Sequence, residues 1–93
     1  MGKKEFIASW RGKDSFGSNQ PNVWRKAQGS SLSQYEIKCL HAGMAVMHPK
    51  RFSDMTKIFV MDEIGDIYSV IVQNKKLEEL KKDLIDVGYS IAA

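Results

Sequence analysis

One cysteine, two histidines and no long apolar run in 93 residues narrow the functional classes open to this chain. With Cys39 alone there is no intrachain disulfide, which suits a reducing compartment and sets the cytoplasm as the expected location. Cys39, His41 and His48 fall short of a zinc site: Cys-x-His is an unusual pairing, the second His is seven residues further on, and no fourth ligand suggests itself. No metal or cofactor is expected, and Cys39 reads as a small buried apolar residue. The same two histidines are the only general bases with an ordinary pKa near neutrality, and neither lies in a nucleophile-elbow or phosphate-loop context. The expectation is therefore a binding protein and not an enzyme. A minor alternative is a small ribonuclease-like enzyme built on His48 beside Lys50 and Arg51.

The longest apolar run, residues 42–47, is six residues against the roughly 20 of a membrane span. Lys3 and Lys4 are not followed by a sustained apolar stretch, so no secretory signal is read, and Phe6 stands where a myristoylation motif wants Ser or Thr. No membrane partner is expected. Hydrophobic residues at 43% and charged ones at 27% are globular values for one domain over residues 1–93. The net charge of +3 is unevenly spread, because residues 1–60 carry ten basic and four acidic side chains and residues 61–93 four basic and seven acidic. A basic front permits a polyanionic partner without requiring one.

Along the chain, residues 4–11 (KEFIASWR) alternate Phe6, Ala8 and Trp10 against Glu5, Ser9 and Arg11, with Ile7 as the exception, and predict a half-buried strand. Residues 12–30, rich in Gly, Ser, Asn and Gln with Pro21, predict a long surface loop. Ser33 and Glu36 have capping-box spacing, and Ile37, Leu40, Met44 and Met47 follow at helical steps, so residues 33–47 predict a helix closed by Pro49. The rival is two strands separated by a turn at Ala42 and Gly43. Residues 56–61 (TKIFVM) and 66–73 (DIYSVIVQ) predict a hairpin turning through Gly65. Asn74 is expected to cap a second helix carrying Leu77, Leu80, Leu84 and Val87, ended at Gly88 and followed by a short strand over residues 89–92. The order β–α–β–β–α–β predicts an α+β ferredoxin-like sandwich, an antiparallel sheet with two helices on one face.

In that topology one pole gathers Lys3, Lys4, His48, Lys50, Arg51, Lys75 and Lys76, and the other gathers Lys13, Arg25 and Lys26 with Asp62, Glu63 and Asp66. Lys75 and Lys76 oppose the helix macrodipole, an arrangement that suits attraction of an anion. The acidic cluster reads as turn chemistry. Trp24, Arg25 and Lys26 form a second candidate contact, in which the tryptophan either stacks on an unpaired base or anchors the loop to the core; the same alternatives hold for Trp10. The expected partner is RNA or DNA held through phosphates at His48, Lys50, Arg51, Lys75, Lys76, Trp24, Arg25 and Lys26. The alternative is a protein-binding regulator or inhibitor, with a sheet face displaying Phe6, Trp10, Phe59 or Tyr68 and open to homodimerisation.

Overall fold

The computed structural model describes residues 2–11 and 23–92. It is an α+β domain of three helices and a five-stranded mixed sheet. In chain order the elements are α1 (Lys3–Ser9), β1 (Arg25–Lys26), α2 (Gln34–His41), β2 (Met44–Pro49), β3 (Met55–Met61), β4 (Ile67–Gln73), α3 (Leu77–Val87) and β5 (Ser90–Ile91). The sheet runs β1-β4-β3-β2-β5, antiparallel except for the parallel β2–β5 pair. The strand order and the parallel pairing both differ from the expected ferredoxin-like arrangement, and the helices do not share one face.

That difference begins with residues 4–11, which are helical and not a strand. Phe6 and Ile7 are both buried while Ala8 and Ser9 are exposed, and Trp10 lies four and three residues beyond the two buried side chains. This is the spacing of one helix face. The Glu63 carboxylate accepts a hydrogen bond from the Lys4 backbone N–H at 3.3 Å, which seats the start of α1 against the β3–β4 hairpin. At its other end the Arg11 guanidinium donates to the carbonyls of Ala8 and Trp10.

Residues 33–47 combine the two alternatives. Ser33 and Glu36 form the reciprocal capping box that starts α2. The helix ends at His41, and Gly43 at φ 83° reverses the chain into β2, a backbone state that a side chain would strain. The hairpin is as expected: Val60 pairs with Tyr68 and Ile58 with Val70, while Gly65 and Gly88 hold φ of 97° and 113°. Asn74 does not cap α3 through its side chain. It opens a 3-10 turn over Asn74–Lys76, and its Oδ1 accepts from the Thr56 hydroxyl at 2.6 Å.

The core has two parts on opposite sheet faces. Ala45, Ile58, Val60, Val70 and Val72 pack with Phe6 and Ile7 of α1 and Leu80 and Leu84 of α3. Val46, Phe59 and Met61 pack with Cys39 and Leu40 of α2. Phe6 and Phe59 are therefore buried, and Trp10 packs against the α1/α3 core together with Tyr68, so the displayed aromatic sheet face is not formed. No helix of the described residues is long and apolar enough to cross a membrane.

Candidate nucleic-acid interface

β2 ends at Pro49, which is paired with Thr56 across the ladder and, as a proline, donates no hydrogen bond. Lys50 N–H then donates to the Met55 carbonyl at 2.9 Å, and the Lys50 carbonyl accepts from Ser53 N–H at 3.4 Å. Arg51 and Phe52 are the central residues of this tight turn. Phe52 has φ 61°, the only positive φ at a non-glycine position among the described residues. A turn whose third residue alone is left-handed ordinarily takes glycine there. The residue is 94% exposed, and its ring centre lies 5.2 Å from the Arg51 guanidinium carbon. An aromatic ring in a strained backbone state, fully in water, gains nothing from the core and points to use at the surface.

A second basic segment is tied to this turn. Asn74 N–H donates to the Asp54 carbonyl at 2.7 Å, and with the Thr56 bond to the Asn74 side chain this fixes the end of β4 beside the β2–β3 loop. Lys75 and Lys76 thereby share a pole with Lys50 and Arg51. A cleft of about 550 Å³ opens between the segments, lined by Ser53, Asp54, Met55, Gln73, Asn74 and Lys75.

The other candidate residues are placed differently. His48 is half-buried on the α2 side, its Nε2 against the Glu36 carboxylate and its ring edge-on to Phe59 at 5.3 Å. Glu36 also accepts from the Ser33 backbone N–H at 2.9 Å, and this bond first, then the His48 contact, holds its carboxyl below the ordinary 4.5. His48 is thus engaged by a structural pair. Trp24 is 7% exposed and packs at 6.2 Å from Phe6 and 5.9 Å from Trp10, so it is a core anchor and not a surface contact. Trp10 is half-buried and its Nε1 donates to Asp83 at 3.4 Å.

Arg25 and Lys26, expected in a loop, form the edge strand β1 and are exposed; Lys26 pairs at 3.8 Å with Asp66, a contact of small worth between solvated groups. Lys13 lies outside the described residues, as does most of the expected 12–30 loop. Lys3 and Lys4 are at the opposite end from Lys50, because α1 starts at Glu63; Lys3 Nζ lies 4.5 Å from the centre of the Tyr89 ring. Asp62 is buried and accepts from the backbone N–H groups of Ile64 and Asp66, which is turn chemistry. Among the described residues no three Cys, His, Asp or Glu side chains come together as metal ligands.

Phe52 is the candidate that the sequence reading did not single out. Its sole signal was its position, directly after Lys50-Arg51 and between two strand-forming runs. Compared with known protein families, curated proteins and solved structures, the chain matches none.

Proposed function

We propose that this protein is a non-enzymatic, cytoplasmic binding module for nucleic acid, engaged through its phosphates by Lys50, Arg51, Lys75 and Lys76. The observation that carries this reading is the union of the two basic segments by the Asn74–Asp54 hydrogen bond, with the exposed Phe52 ring beside the Arg51 guanidinium. Cations neutralise phosphates, and an exposed ring beside a guanidinium offers a stacking surface to a base. His48 is left out of the contact set because Glu36 occupies it, and Trp24 because it is buried.

Four phosphate contacts predict that log affinity falls with log salt at a slope of about −3 for a single strand, a loss of roughly 50-fold between 50 and 200 mM. Fluorescence anisotropy of a labelled oligonucleotide across that range tests this directly. No binding of the oligonucleotide at 50 mM salt would favour a protein-binding regulator or inhibitor using the same exposed Phe52.

A further inference from the structure

The two faces of the sheet are covered unequally. On one face α1 and α3 bury Ile58, Val60, Val70 and Val72 to 4% exposure or less. On the other, α2 has only eight residues, about 12 Å of helix, over strands of seven residues that extend about 23 Å. It reaches Val46, Phe59 and Met61 and stops. The register places Lys57 beside Ile71 and Met55 beside Gln73 on that same face, and all four are half-exposed, with no helix of the described residues packed over them.

This open half-face runs into the basic pole. Met55 and Gln73 line the cleft that Lys75 closes, and Phe52 stands in the turn leading into β3. At the far edge Arg25 is paired with Ser69, the strand position two residues before Ile71 and on the same face. Lys57 carries its ammonium 5.1 Å from the centre of the Phe59 ring, within the face. Glu36 is engaged by Ser33 and His48, and Asp54 is the carboxylate lining the cleft, so cations dominate the path from Arg25 through Lys57 to the pole. Among the described residues the buried Oε1 of Gln73 has no hydrogen-bond partner.

We infer that this half-face is a track for single-stranded nucleic acid, with Phe52 and the apolar Met55 and Ile71 facing bases and Lys57 and Arg25 extending the phosphate contacts of the pole. The inference rests on the reading of the pole given above and names the class of ligand. A duplex keeps its bases stacked inside a wide cylinder and meets the pole through phosphates alone. A single strand is thin, and its bases are free to lie on apolar and aromatic side chains.

The test compares a uniform 12-nucleotide single strand, as RNA and as DNA, with a 12-base-pair duplex at 50 mM salt. The proteins are wild type, Lys57→Gln and Lys50→Glu/Arg51→Glu, each checked for fold by circular dichroism. The expected result is at least one of the single strands bound tenfold or more tightly than the duplex, with Lys57→Gln weakening it fivefold or more and leaving duplex affinity within twofold. A wild type that binds duplex as tightly as both single strands, or a Lys57→Gln change below twofold on them, overturns the track while the pole stands. Absence of all binding by wild type removes both.

Discussion

Replacing Phe52 separates its structural cost from its use. The residue sits at φ 61° with 94% of its surface in water, so truncation removes no buried area. A left-handed conformation costs an L-residue about 1–2 kcal/mol, which Phe52→Ala retains and Phe52→Gly abolishes. Glycine gives back about 0.4–1 kcal/mol through the greater freedom of its unfolded chain. The exposed contact with Arg51, lost in both variants, is worth about 0.5 kcal/mol. Phe52→Gly is therefore expected to be about 0.5–1 kcal/mol more stable than Phe52→Ala, or about 2–8 °C in Tm for a domain of this size. Thermal unfolding of the two variants beside wild type, followed by circular dichroism, reads this difference. Equal or higher stability in Phe52→Ala would refute the left-handed turn. On the binding side both variants lose a stacking surface worth about 1–3 kcal/mol per base, so affinity for a single strand drops at least fivefold. A Phe52→Gly protein that binds like wild type would remove the ring from the contact set.

Two further outcomes follow from groups away from the turn. The buried Tyr89 hydroxyl donates to the Met61 carbonyl at 2.8 Å, and burial first, then Asp62 and Glu63, raises its pKa well above the ordinary 10. The folded state thus keeps the proton that the unfolded state loses, and this contribution is complete below pH 10 and fades as pH rises beyond it. Tyr89→Phe is expected to cost about 1–2 kcal/mol at neutral pH and to flatten the alkaline decline in denaturation midpoint; an unchanged decline would contradict the assignment. Glu36 behaves oppositely, its lowered pKa contributing stability above about pH 4.5 that is lost as pH falls through the folded-state value. Glu36→Gln preserves an acceptor for the capping box, so its effect should appear as a shallower acid limb in chemical denaturation between pH 6 and 3, and an acid limb like that of wild type would show the carboxylate to be unimportant.

The parts of the fold that were legible in sequence are those where local chemistry and tertiary demand coincide. The β3–β4 hairpin is dense in β-branched residues around Gly65, α2 starts at a capping box satisfied on both sides, and α3 carries its leucines on one face above Gly88. The first segment misled because Phe6, Ala8 and Trp10 alternate, whereas Ile7, the apparent exception, is as buried as Phe6 and reveals the helix. β2 misled for a different reason. Covered on both faces at its start, with Ala45 and Val46 both buried, it shows no alternation, and its methionines continue the helical spacing of α2 by coincidence. Misplacing α1 then displaced Lys3 and Lys4 to the wrong end. Lys50, Arg51, Lys75 and Lys76 came together as expected because they depend only on the hairpin and the start of α3. The left-handed backbone of Phe52 and the short reach of α2 are tertiary facts with no local signature.

The basic pole is tested most directly by reversing it. Anisotropy of a labelled single strand from 50 to 200 mM salt, with wild type, Lys50→Glu/Arg51→Glu and a Lys82→Glu control on the exposed face of α3, reads both affinity and salt slope. The prediction is salt-sensitive wild-type binding, at least tenfold weaker at 50 mM in the double variant, with the slope shallower by about 1.4 and the control unchanged. No binding at low salt, or a double variant within twofold of wild type, would contradict a phosphate-binding pole.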